Sequence, residues 1–160
     1  MNGKSQGVRN KGKDDFHVMW RVKYEPGTVK AVSRKEGKTV AEQEIRTAGE
    51  PAQIRLSPDR STIQADGKDL SFITVEILDK DGNLCPNAEN DMTFAVEGAG
   101  FIAGVDNGSP ISMEKFKDNH RKAFYGKCLV VLQNNGEPGG VKVTATADGL
   151  EKATTTIKIK

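Results

Sequence analysis

The stretch Ile73-Thr74-Val75-Glu76-Ile77-Leu78-Asp79-Lys80-Asp81-Gly82-Asn83 decides the fold class. Ile73, Val75 and Ile77 alternate with Thr74, Glu76 and Leu78, a period of two that puts one face of a strand in a core and the other in water. The following Asp-Lys-Asp-Gly-Asn run then turns the chain, because Gly accepts positive φ and Asp and Asn bond their own backbone. The same alternation recurs on both sides. Met92, Phe94 and Val96 flank Thr93 and Ala95; Val141, Val143 and Ala145 alternate with Lys142, Thr144 and Thr146; Ala153, Thr155, Ile157 and Ile159 alternate with Thr154, Thr156, Lys158 and Lys160. Ala65-Asp66-Gly67-Lys68, Glu137-Pro138-Gly139-Gly140 and Asp148-Gly149-Leu150-Glu151 supply further turns. Residues 51–160 therefore predict about seven short strands at sandwich spacing, one complete immunoglobulin-like domain in an all-β chain.

Residues 1–50 read differently. Four strands are expected, near 2–9, 16–23, 28–35 and 39–46, followed by the hinge Thr47-Ala48-Gly49-Glu50-Pro51. Four strands in so short a piece bury little apolar area, so this part is expected to be an incomplete immunoglobulin-like sandwich. Asn2-Gly3 is a hairpin-turn pair with no strand before it, and predicts a hairpin tip whose first arm is missing, a sandwich cut through. Such a remnant exposes strand edges through which two copies can pair as a homodimer. Trp20 falls in phase with Phe16 and Val18 and is expected in the core.

The stretch 101–124 breaks the alternation. Met113, Phe116, His120 and Phe124 lie three to four residues apart, which predicts one or two helical turns within a long loop, a feature often tied to function.

The chain of 160 residues has 24 basic and 22 acidic side chains and a net charge of +2. Residues 1–50 carry about +4 and residues 51–160 about −2, with the basic residues interleaved among apolar ones. That pattern argues against nucleic acid, which calls for a clustered basic face. With 36% apolar residues and a mean hydropathy of −0.56, no run is long enough to span a membrane. Met1 to Gly7 lack the apolar centre of a signal peptide.

Chemistry-bearing residues are sparse. Asp79 to Asn83 lack the third ligand and closing glutamate of a calcium loop. Asp106-Asn107-Gly108 reads as an Asx turn, with a cation held by Asp106 and Asn107 as the sharper alternative. His17 and His120 stand without metal-ligand spacing, and no cofactor or metal is implied. No Ser-His-Asp or Cys-His set is present, and the carboxylates fall in turns and on wet faces rather than as a glycosidase pair. Cys85 and Cys128 are either one disulfide or two buried thiols. Phe116, Phe124 and Tyr125, with His120 and Arg121 beside them, form the one aromatic cluster suited to docking or to glycan contact.

Several of these stretches resemble family 2 glycoside hydrolases, in particular β-galactosidases of gut Bacteroides-type bacteria. Phe16-His17-Val18-Met19-Trp20-Arg21-Val22, Tyr24-Glu25-Pro26-Gly27 and Lys30-Ala31-Val32 look like the β-sandwich that follows their catalytic barrel. Gly104-Val105-Asp106-Asn107-Gly108 and Arg121-Lys122-Ala123-Phe124-Tyr125-Gly126 resemble their C-terminal immunoglobulin-like domain. Ala65 to Asp69 through Asp79 to Asn83 is also similar to invasin-type modules. The resemblance implies a non-catalytic accessory region, since the family's catalytic glutamates lie in a barrel that would precede residue 1. Its implied partners are that barrel and neighbouring domains, and its implied location is periplasmic or extracellular. A carbohydrate-binding module and an invasin-like surface spacer are the rival readings.

Overall fold

The computed structural model describes all residues, Met1–Lys160, and has strands but no helix. The chain divides into two compact units, Met1–Thr47 and Ala48–Lys160.

The first unit holds one antiparallel ribbon, β1 (Thr28–Lys35) and β2 (Lys38–Arg46). The strands expected near 2–9 and 16–23 are not formed. An extended segment becomes a strand only where a neighbour meets its N–H and C=O groups, and β1 and β2 pair with each other alone. Asn2-Gly3 does form a two-residue turn. Both residues have positive φ, Lys4 N–H donates to Met1 O at 2.9 Å, and the Met1 ammonium donates to Lys4 O at 2.8 Å. The Asn2 amide ties this turn to the ribbon by donating to Pro26 O (3.0 Å) and accepting from Thr28 N–H (2.7 Å). Every side chain of this unit is half-buried or exposed. Trp20, expected in a core, is 38% exposed, and Phe16 is 97% exposed. A single ribbon has no second layer to cover them, and Trp20 is approached instead by the Arg9 guanidinium at 6.0 Å.

The second unit is a two-layer sandwich. One sheet orders β3 (Pro51–Pro58), β5 (Leu70–Asp79), β9 (Lys127–Asn134) and β7 (Gly100–Asp106). The other orders β4 (Thr62–Ile63), β11 (Ala153–Ile159), β10 (Gly139–Thr146), β6 (Asp91–Gly98) and β8 (His120–Lys122). All pairings are antiparallel except the short β11–β4 contact. Ile73, Val75 and Ile77 of β5 and Val130 and Leu132 of β9 are buried, as are Met92 and Phe94 of β6 and Val141, Val143 and Ala145 of β10. Each such large side chain contributes about 1.5–3 kcal/mol on burial. The alternation in β5 ends at Leu78 and Asp79, which are both buried because the chain turns back there and Leu78 pairs with Leu84.

Buried polar groups hold the turns. Asp79 accepts backbone N–H donors from Gly49 (2.8 Å), Asp81 (2.9 Å) and Asn83 (2.8 Å), as well as the Asn83 side-chain amide (3.0 Å). Those donors, the Asn83 amide foremost, bring its carboxyl pKa down to about 2. Asn134 accepts from Gly67 and Gly136 N–H and donates to Asp69 O, so its burial carries no unmet donor or acceptor.

The stretch 101–124 contains no helical turn. It holds the strands β7 and β8, and the residues 107–119 between them are irregular. Met113 and Phe116 point outward, 95% and 64% exposed, so the three-to-four spacing marks no shared face. Ladder bonds from Val105 N–H to Phe116 O and from Phe94 N–H to Asn119 O, both 2.7 Å, compete with any local coil.

Candidate functional site on the β7–β8 edge

Arg121 organises this edge from the inside. In the β6–β8 register Met92 faces Arg121 while Asp91 faces Lys122, which sends Arg121 into the sandwich and its neighbours outward. The Arg121 side chain is 1% exposed. Nη2 donates to Asp106 Oδ1 at 3.1 Å, Nη1 donates to Glu114 O at 3.0 Å, and the guanidinium lies 5.1 Å from the Phe116 ring centroid. A guanidinium out of water needs such partners, and they pin the 107–119 segment to the sandwich.

Asp106 also accepts the N–H groups of Asn107 (2.7 Å) and Gly108 (3.2 Å), the Asx turn expected from Asp-Asn-Gly. Burial works against its charge, but these amides and Arg121 hold its carboxyl below the ordinary range. The Asn107 side chain donates to Lys122 O at 2.8 Å, which stitches the turn to β8. Glu114 is held from both oxygens, by Lys122 N–H at 3.0 Å and by the Ser112 hydroxyl at 2.8 Å. Burial again opposes its charge, and these donors with Arg121 and His120 bring its pKa below the usual value.

His120 stands between two carboxylates. Nδ1 lies 3.4 Å from Asp91 Oδ1 and Nε2 lies 3.5 Å from Asp118 Oδ2.

Phe124 and Tyr125 make the tip that follows β8. Phe124 N–H donates to Lys127 O (2.8 Å) and Lys127 N–H donates to Phe124 O (3.1 Å), closing a two-residue turn with positive φ at Tyr125 (50°) and Gly126 (73°). Gly126 is required there, because a Cβ would overlap the Cys85 carbonyl oxygen. Tyr125 is unusual in this conformation, is 66% exposed, and has its ring centroid 4.4 Å from that of half-buried Phe124.

The structure thus brings Asp106, Asn107, Phe116 and Arg121 into one cluster, places His120 on the outer face beside it, and puts Phe124 and Tyr125 on the adjoining hairpin. Sequence reading missed Asp91, Glu114 and Asp118 around His120, since β8 is only three residues long and its pairing with β6 leaves no periodic signal. Cys85 and Cys128 are free thiols, both buried, so no disulfide is formed. Burial drives the Cys128 pKa up to about 12 and also raises that of Cys85.

Residues 54–156 match the family described as glycoside hydrolase family 2 C-terminal domain 5, and residues 1–41 match a domain of unknown function, DUF4982. The chain is 67% identical over 153 residues to the β-galactosidase BoGH2A of Bacteroides ovatus, spanning 96% of this chain but 18% of that protein. Among solved structures, a β-glycosidase from Bacteroides vulgatus matches with a TM-score of 0.92 at 32% identity, over 98% of this chain and 20% of that one. A family 2 glycosyl hydrolase from Bacteroides cellulosilyticus matches with a TM-score of 0.87 at 39% identity, over 99% and 22% of the two chains. The sandwich with its β7–β8 edge, and the family match across most of its length, give one conclusion: the chain belongs to the glycoside hydrolase family 2 C-terminal domain 5 family.

Proposed function

We propose that this chain is a non-catalytic accessory region of a β-galactosidase-like family 2 glycoside hydrolase, and that it works by docking on the rest of that enzyme. The observation that carries the reading is a set of outward apolar side chains on a pinned edge. Ile111 is 85% exposed, Met113 95%, Phe116 64% and Tyr125 66%. Apolar side chains held out from a rigid edge favour burial against another surface. The relative at 67% identity is called a β-galactosidase and is more than five times longer than its matching segment, which supplies the natural partner surface. The ribbon β1–β2 supports the same idea, because Val29, Val40 and Ile45 are exposed on strands with free outer edges. A second copy is the other occupant of that ribbon, and light scattering distinguishes the two. For the parent enzyme we favour a periplasmic or extracellular place, on the family likeness alone.

The test is calorimetric titration of the chain against the remainder of the B. ovatus relative, from which the matching segment has been deleted. Saturable binding that Met113→Ser and Phe116→Ser weaken supports docking. The Phe124–Tyr125 ring pair favours one second reading, a carbohydrate-binding module. Saturable binding of galactosides that Tyr125→Ala abolishes, with no binding to the deleted enzyme, would replace docking with that reading.

A further inference from the structure

We infer that Asp91, Glu114 and His120 form a binding site for a divalent transition-metal ion, of which zinc is the reference occupant. The inference is independent of the docking reading. One donor atom from each residue lies within 4.8 Å of the other two, a spacing that bonds of about 2.0–2.2 Å to one ion can draw together.

The sharpest pointer is the His120 ring itself. Its Nδ1 is shielded from solvent and has no hydrogen-bond partner, although Asp91 Oδ1 lies 3.4 Å away. A shielded ring nitrogen without a partner is a donor atom that a bound cation can satisfy. A cation placed between them would satisfy both the ring nitrogen and the carboxylate. On the other side of the ring, Asp118 Oδ2 lies 3.5 Å from Nε2 and adds to the negative charge around the imidazole.

The site is set by the fold. Asp91 and His120 are diagonal neighbours on the outer face of the β6–β8 pair, because Asp91 lies opposite Lys122 and Thr93 opposite His120. Glu114 arrives from the irregular segment with its carboxylate anchored by Lys122 N–H and Ser112, while Arg121 holds its backbone carbonyl. Two ligands are therefore oriented in advance, and Asp91, at 68% side-chain exposure, closes on the ion from the solvent side.

The charges agree. Asp91, Glu114 and Asp118 face the position; Arg121 lies 3.9 Å from Glu114 Oε2 but is engaged by Asp106, and Lys122 is engaged by Glu89 at 2.9 Å. The balance is negative even with both cations counted. One imidazole with two carboxylates suits zinc and its neighbours better than calcium or magnesium, which prefer all-oxygen shells. Three protein ligands leave a fourth position for water or for a donor from another molecule.

Zinc titration of the full chain by calorimetry tests the site. One equivalent of zinc is expected to bind, and Asp91→Asn and His120→Gln are each expected to weaken it beyond the roughly 10–100-fold typical of lost outer-shell contacts. His17→Gln serves as the control and leaves binding unchanged. Both lesion sites are partly exposed, and thermal melting without metal checks that the variants fold. Cobalt gives a second readout: visible d–d bands without an intense near-ultraviolet thiolate band identify nitrogen and oxygen ligands. Three results of these titrations would overturn the inference. They are a dissociation constant above about 100 μM, binding that survives both substitutions, or a thiolate band that assigns the ion to Cys85 or Cys128. Nuclear magnetic resonance showing His120 Nδ1 protonated and unmoved by zinc would equally overturn it, leaving a His–Asp ion pair.

Discussion

Arg121, with a side chain 1% exposed, donates from Nη2 to Asp106 Oδ1 across 3.1 Å and so ties the last residue of β7 to the middle of β8. The partners are unequal, since Asp106 is 46% exposed. Removing the arginine leaves a hole and breaks the hold on Glu114 O, so Arg121→Ala is expected to destabilise the sandwich by about 3–5 kcal/mol. Asp106→Asn keeps an acceptor oxygen and solvent access, and is expected to cost about 1–2 kcal/mol. Arg121→Lys does not rescue, because one ammonium cannot fork to both partners. Urea denaturation of the three variants checks the order.

Acid sensitivity is expected to centre on Asp79. Its folded pKa, about 2, lies below the ordinary 3.8. A depressed carboxyl contributes stability that is present above the unfolded value and is lost as pH falls through the folded value. Stability should therefore fall between about pH 4 and pH 2, with Asp66 and Asp69, also lowered, adding to the same limb. Asp79→Asn is expected to be less stable at neutral pH and to show a flatter acid limb. Denaturation midpoints measured across that range check it.

The Tyr125-Gly126 tip is expected to trade stability for contact. Tyr125→Asn gives the turn its preferred pair and relieves a positive φ, at the loss of the ring contact with Phe124; a net gain of about 0.5 kcal/mol is expected, with weaker docking. Gly126→Ala has no such compensation, because its Cβ would overlap Cys85 O, and should lose more than about 1 kcal/mol. Thermal melts of both variants separate the two effects.

Neither thiol is expected to react in the folded chain. Burial raises both pKa values, with Asp79 and Glu50 adding to the effect at Cys85, so little thiolate forms at neutral pH. A thiol-specific chromogenic reagent should count two sulfhydryls after unfolding without reductant and essentially none before it. A count of zero after unfolding would reveal a bridge.

Legibility in the sequence followed physical locality. β5, β6, β10 and β11 could be read because an apolar side chain on every second residue is a property of one strand alone, and Gly-containing turns bound them. The segment 16–23 shows similar alternation yet forms no strand, and neither does 2–9, since pairing depends on a neighbour that no local pattern specifies. Trp20 misled for the same reason: in-phase apolar residues predict a face, not what covers it. Asp106-Asn107-Gly108 was legible as an Asx turn because the side chain bonds within two residues. Arg121 was singled out, but its burial was not readable, because that depends on register with Met92. The same register gathers Asp91 beside His120, across 29 residues of sequence.

Docking through the outward apolar edge should leave a footprint in backbone exchange. Hydrogen–deuterium exchange of the chain alone and mixed with the segment-deleted B. ovatus relative tests it most directly. Fast exchange at residues 109–117 is expected in the free chain, with marked slowing there on mixing and β5 and β9 unchanged. Exchange at 109–117 that is the same with and without the partner, under conditions where the two bind, would contradict it.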